Sequence, residues 1–414
     1  MKQKLREPRS LQVLYAGSFL GNFDRIVITP LLLPAAKGLH VSVPSVTGAL
    51  TAYLLLFGLM QPVHGLISDA VGRVKVMCGA LLGMCLADLL SAFAPDLWVL
   101  VLGRAIAGAS AAALLPVAVA YVGDRVPFER RQRTVATVLA AGAVGTAGAT
   151  VIAGVFTHLW SWRAAILLVA ICAPVLALWV ARLPEAAVPK ASGVGVVGRF
   201  AEVFRIRWFR FLVVFGLIEG AAMLGFFNFF NAALQAKGHS VLIAGFVTGS
   251  YGLAAVAGGM VVRALGQRVS AATLFAVGGV LLLAGYLACA YTQTLTTVLV
   301  ASVLSGLAFA LVQSIVQTWA TEVAEPRARG IATSLVACAV FTGAALATEL
   351  VKNYANKPHF GLLFAVAAVV TVPVAVIGPV ARARFAAAFQ QQAASAPASA
   401  PVGAAQAAPQ TIAN

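Results

Sequence analysis

The residues of this chain that could do chemistry are charged side chains set inside long apolar stretches. Asn22, Asp24 and Arg25 occur together in L-G-N-F-D-R-I-V, Asp88 and Arg104 lie either side of Asp96, and Glu219 stands in F-G-L-I-E-G-A-A-M. A charge at the centre of a bilayer costs about 3 kcal/mol or more, so such a group should face a partner or a wet cavity. A carboxyl group kept from water is penalised in its ionised form, which suits it to loading and releasing protons. Arginine stays charged and can neutralise an acid or hold an anionic ligand. The chemistry on offer is proton carriage and ion binding. The five histidines (His40, His64, His158, His239, His359) are scattered near loops. No Ser/His/Asp cluster, phosphate loop or metal-ligand set accompanies them, so no enzyme activity, cofactor or metal is expected.

The elements that carry these residues are membrane helices. The 414 residues are 61% hydrophobic and only 10% charged, where a soluble domain carries about a quarter charged residues. Twelve apolar runs of bilayer-spanning length, spans 1 to 12, fall at roughly 11–36, 45–67, 74–94, 98–122, 133–156, 163–182, 210–235, 241–262, 270–291, 295–319, 330–350 and 360–381. The net charge of +16 is a topology signal. With the N-terminus inside, outer segments hold only Lys37, Arg163, Lys237, Lys352 and Lys357 of the 29 basic residues. Both termini are therefore expected in the cytoplasm of a multi-pass plasma (inner) membrane protein. No basic face alternates with aromatics outside the membrane, so nucleic acid is not an expected partner. The five cysteines all fall in spans, where they read as small packing residues.

The chain reads as a cytoplasmic leader (1–10), a six-span half (11–182), a Pro-, Gly- and Arg-containing linker (183–209), a second six-span half (210–382) and a disordered tail (383–414). The halves carry traces of duplication. G-L-I-S-D-A-V-G-R (65–73) faces G-M-V-V-R-A-L-G-Q (259–267), R-Q-R-T-V-A-T (131–137) faces R-A-R-G-I-A-T (327–333), and Asp24 faces Glu219, at offsets of 194, 196 and 195.

The loop between spans 2 and 3 resembles a known signature. Gly65, Ile67, Asp69, Gly72 and Arg73 match G-x-[LI]-x-D-x-x-G-[RK] of the major facilitator superfamily. Arg104, Gly108, Ala111 and Ala112 resemble its helix 4 motif, with Ala107 where Gln is usual. Span 5 is similar to the antiporter signature at Gly145, Ala149, Ala153 and Gly154, but Thr150 replaces its proline. The resemblance implies an all-α fold of twelve transmembrane helices in two pseudo-symmetric six-helix bundles. It also implies a secondary transporter working by alternating access, most similar to the twelve-span drug and metabolite:proton antiporters.

On that reading Asp24, Glu219 and Arg104 form the proton-coupling set. Asn22, Arg25, Met223, Phe226, Phe227, Phe230, Gln313 and Gln317 form the substrate set. Gly65, Asp69, Gly72 and Arg73 form the gate, with Gly65 allowing close helix approach, Asp69 at the start of span 3 and Arg73 pairing across the cytoplasmic face. Met223 and the three phenylalanines are read on one face with Glu219, a surface suited to a lipophilic ligand. The hairpin turn near Asp96 sets Asp88 and Arg104 at equal depth. Arg104 could pair with Asp88 or reach Asp24. The expected partners are a small-molecule substrate, protons and the lipid bilayer, with the chain a monomer. The alternative is a symporter or facilitator of an organic anion held by Arg25.

Overall fold

The computed structural model describes residues 9–185, 196–266, 268–325, 328–355 and 359–395. The leader, much of the linker and the end of the tail lie outside the described residues. So does Arg327, which opens one of the repeat matches. The described residues are helical, with no strand among them. Twelve helices are long and apolar enough to cross a membrane: Leu11–Gly38, Val43–Val71, Arg73–Ala92, Leu97–Arg125, Glu129–Leu159, Trp162–Val180, Arg207–Ala236, Val241–Leu265, Ala271–Tyr291, Leu295–Val323, Arg329–Tyr354 and Phe360–Phe389. These are spans 1 to 12. Among the described residues, an even number of crossings puts the start of span 1 and the end of span 12 on one face, here the terminus side; the opposite face is the far side.

Local sequence sets where the helices begin. Ser42, Asp96, Ser240, Ser270 and Thr294 each accept a hydrogen bond from the N–H three residues on, at 3.0–3.3 Å. Each thereby satisfies a donor that the first helical turn leaves free. The last helix continues to Ser395, past residue 382 where the sequence suggests a disordered tail. The stretch A-R-F-A-A-A-F-Q-Q-Q-A-A is rich in the helix formers Ala and Gln, which prolong the helix. A short helix, Val196–Arg205, stands in the linker. Polarity is inverted relative to a water-soluble protein. Leu86, Leu178, Leu253 and Val369 are exposed, while Asp24, Asp88, Arg104 and Glu219 are fully buried.

The two halves repeat one neighbour pattern. Spans 1 and 5, 2 and 4, 3 and 4, and 3 and 6 pack together, as do spans 7 and 11, 8 and 10, 9 and 10, and 9 and 12. The halves meet along spans 2 and 11 and along spans 5 and 8. At the far side, spans 1 and 7 also join. Thr29 Oγ1 donates to Asn228 Oδ1 at 3.3 Å, and Gln235 Nε2 donates to the Pro30 carbonyl at 2.8 Å. The second bond follows from sequence: the Pro30 carbonyl would normally receive the N–H four residues on, but Pro34 has none. Span 1 breaks there into a 3-10 turn at Thr29–Leu31. Span 7 breaks at the equivalent place, with a π turn at Ala221–Gly225 and a 3-10 turn at Phe226–Asn228.

The turn between spans 2 and 3 is a single residue. Gly72 sits at φ 115° and ψ 148°, a conformation that belongs almost to glycine alone. A Cβ at Gly72 would also lie 2.7 Å from the Glu185 carboxyl carbon, whereas nothing lies within 4 Å of one at Gly65. Gly72→Ala should therefore destabilise the purified protein by about 1–3 kcal/mol, and Gly65→Ala should leave it unchanged. Thermal unfolding in detergent checks both, and equal midpoints for the two variants would contradict the assignment.

Candidate functional site

Arg104 is the centre of a buried charge cluster. Its Nη2 donates to Asp24 Oδ1 at 2.8 Å and to the Asp24 carbonyl at 3.0 Å; its Nη1 donates to Asp88 Oδ1 at 2.5 Å. Tyr53 Oη donates to the other Asp24 oxygen at 2.9 Å, and the Tyr53 ring lies 4.6 Å from the guanidinium carbon. All four side chains are fully buried. Both alternatives for Arg104 thus hold at once. Two glycines make the reach possible. Gly103 lies against the Ala87 carbonyl and Ser91 of span 3, and Gly108 against the Tyr53 backbone of span 2. A side chain at either position would push span 4 away and pull Arg104 from its partners. With both acids ionised the cluster carries net charge −1, and a single proton makes it neutral.

Glu219 is the opposite case. It is fully buried, and neither carboxyl oxygen has a hydrogen-bond partner. The π turn that follows breaks the regular helical spacing, so the aromatic residues after it do not form one face with Glu219. Phe226 and Phe230 turn to Tyr286, at 6.1 and 5.8 Å between ring centroids, and Phe230 also to Phe364 at 5.2 Å. They are packing residues inside the second half. Phe227 faces Tyr251 of span 8 at 4.1 Å. Met223 is buried.

Arg25 sits where the halves meet. It is 6% exposed. Its Nη2 reaches Asn22 Oδ1 at 3.3 Å and Thr146 Oγ1 of span 5 at 3.5 Å, and its guanidinium lies 5.8 Å from the Phe341 ring of span 11. Among the described residues no carboxylate pairs with it. Gln313 and Gln317 of span 10 are half-buried, and Gln313 Oε1 is without a partner.

The terminus-side loop differs from the sequence expectation in three ways. Span 2 runs on to Val71, so Asp69 lies at its C-terminal end and not at the start of span 3. The acid that caps span 3 is Glu185, from beyond span 6: its two oxygens accept the Val74 and Lys75 N–H groups at 3.1 and 3.3 Å, as suits a helix N-terminus. Arg73 does not pair across the face to the other half. It bonds Asp69 at 2.5 Å, Ser68 Oγ at 2.6 Å and Asp124 at 3.1 Å, all within the first half. Gly65 lies in open space and mediates no close approach.

Sequence reasoning missed Tyr53, Thr146, Glu185 and Gln235. Each is a single polar residue on an apolar helix or at a loop end, and its partner lies far along the chain. The only signal available for Gln235 was the missing N–H of Pro34.

Comparison with known proteins agrees with this architecture. The family model described as Major Facilitator Superfamily matches residues 14–348 and 220–406. The puromycin resistance protein pur8 of Streptomyces alboniger is 35% identical over 37% of this chain and 31% of its own length. The cephamycin export protein CmcT of Amycolatopsis lactamdurans is 32% identical over 41% of this chain and 35% of its own length. These matches span about a third of each relative. The crystal structure of the nucleoside transporter NupG superposes with a TM-score of 0.76 at 15% identity, covering 90% of this chain and 99% of that one.

The cluster's charge balance predicts unequal effects of substitution. Asp88→Asn and Asp24→Asn each leave Arg104 with one acid and should keep the fold. Arg104→Leu leaves two buried acids without a counter-charge and should cost about 3–5 kcal/mol. Yield and thermal stability of the three purified variants check this, and an Arg104→Leu protein as stable as wild type would refute it.

Proposed function

The chain belongs to the Major Facilitator Superfamily of membrane transporters, and from that premise we propose that it exports a small lipophilic substrate in exchange for protons. Glu219 carries this reading. A buried carboxyl with neither oxygen bonded has no local use as an anion and no partner to lose on taking a proton. The Asp24–Arg104–Asp88 cluster is the second proton site, with room for one proton between two acids that share one guanidinium. Arg104 holds the proton's two possible seats together, and Tyr53 orients Asp24. The relatives include a resistance protein and an export protein, which supports outward transport.

The proposed cycle is a rocking of residues 11–182 against residues 210–382 around the midplane. Closure on the far side rests on Thr29–Asn228, on Gln235 with Pro30, and on the packing of span 5 on span 8. Those contacts would part when the far side opens, and the Asp69–Arg73–Asp124 group would then meet the second half. Arg73 holds its partners within the first half, as a gate residue between engagements would. The basic loops support a cytoplasmic terminus side, so the far side is the destination.

A second reading is favoured by Arg25. A guanidinium buried at the junction of the halves without a carboxylate calls for an anionic group on the substrate, and Asn22 and Thr146 hold it in place. On this reading the cargo is an organic anion.

Two measurements test these readings. Wild type, Glu219→Gln and Arg25→Gln are expressed at matched levels in an efflux-deficient bacterium challenged with antibiotics and lipophilic cations and anions. Wild type should lower accumulation, and a protonophore or Glu219→Gln should return it to the level of empty cells. Export that continues in Glu219→Gln would remove that residue from the coupling. For substrates bearing a carboxylate, Arg25→Gln should raise KM about 10- to 100-fold, the loss of a charged hydrogen bond. Unchanged KM would exclude the anion reading.

A further inference from the structure

The outer surface of the second half carries a groove that the transport pathway does not use. It lies between the terminus-side ends of spans 7 and 12, has a volume of about 510 Å³, and is lined by Arg207, Trp208, Phe211, Ile377, Val380 and Arg384 among others. Its polarity is graded. Arg207 opens span 7 and Arg384 lies near the end of span 12, so both guanidiniums stand at the mouth. Ile377 is seven residues before Arg384, about 10 Å deeper by helix rise, and it and Val380 are about half exposed on the lipid-facing side.

The two arginines differ from their neighbour Arg382. Arg382 is bound by Glu322, at 2.5 and 3.2 Å, and lies over the Trp319 and Phe385 rings. Arg207 and Arg384 are exposed and have no ion pair among the described residues, and no acid lines the groove. The wall between them is fixed: Trp208 packs against Trp319 at 5.8 Å, Phe385 at 5.6 Å and Phe211 at 6.0 Å. A tryptophan at this depth also suits the membrane–water boundary.

We propose that this groove binds an anionic phospholipid from the adjacent leaflet, with its phosphate between Arg207 and Arg384 and an acyl chain along Phe211, Ile377 and Val380. Charge at the mouth and a trough of apolar surface running into the bilayer match a phospholipid's own order of groups. A free anion would have no use for the trough. A purely apolar occupant would leave two unpaired guanidiniums beside it.

The test is native mass spectrometry of the full chain, purified in detergent and equilibrated with equal amounts of phosphatidylglycerol and phosphatidylcholine. Wild type should retain phosphatidylglycerol preferentially. The double variant Arg207→Gln/Arg384→Gln should lower that preference roughly thirtyfold. Ile377→Trp, which fills the trough and keeps both charges, should also lower retention. Excess inorganic phosphate should not displace the lipid. Equal retention of the two lipids by wild type would overturn the proposal. So would a preference that survives both the charge and the trough variants, and displacement by inorganic phosphate would assign the mouth to a free anion instead.

Discussion

The structure of the first half depends on the placement of one guanidinium where water is absent. Arg104 cannot shed its charge, so three spans converge to surround it: span 1 brings Asp24, span 2 brings Tyr53 and span 3 brings Asp88. Nothing in hydrocarbon draws helices together as water does for a soluble core, so close packing and polar contacts must do it. The small residues of span 4 around Arg104 serve the same end, because they let the backbones approach within the reach of one side chain. The cluster therefore fixes helix positions as well as charges.

The second half repeats the architecture and omits this chemistry. Spans 7 to 12 pack in the same order as spans 1 to 6, and the bend of span 1 at Pro30 has its counterpart in the π turn of span 7. Glu219 stands at the position of Asp24 in the repeat, but among the described residues no arginine, tyrosine or other donor bonds its carboxyl oxygens. Two positions related by the repeat thus hold a carboxyl group in different surroundings: one bonded by fixed donors, the other without a hydrogen-bond partner among the described residues.

On the far side the halves are joined by a side-chain bond, Thr29 to Asn228, and by one bond that exists because a helix is broken there. A regular helix satisfies its own backbone, and where proline removes a donor a carbonyl is left fully available to a neighbour. Pro30 offers its oxygen to Gln235 in this way. At the terminus side the ion pairs stay within one half: Arg73 with Asp69 and Asp124 in the first, and Arg382 with Glu322 in the second. Among the described residues, one face is thus hydrogen-bonded between halves, and the ion pairs of the other face each stay inside one half.

Much of this was legible in the sequence. Apolar run lengths gave the twelve crossings, because the bilayer imposes its thickness on the chain. The offset of about 195 residues gave the repeat, and the rarity of charge in those runs singled out Asp24, Arg25, Asp88, Arg104 and Glu219. The turn at Asp96 placed Asp88 and Arg104 at one depth, since helix rise is fixed. Tertiary structure alone decided which of these charges are paired. Helix rotation and tilt are set by packing between spans distant in sequence, so no local pattern could tell that Arg104 bridges two acids while Arg25 and Glu219 have no ion pair among the described residues. The same holds for the π turn that scattered Phe226, Phe227 and Phe230, and for the capping of span 3 by Glu185. Periodicity assumes an unbroken helix, and a cap can come from any segment that reaches the helix end.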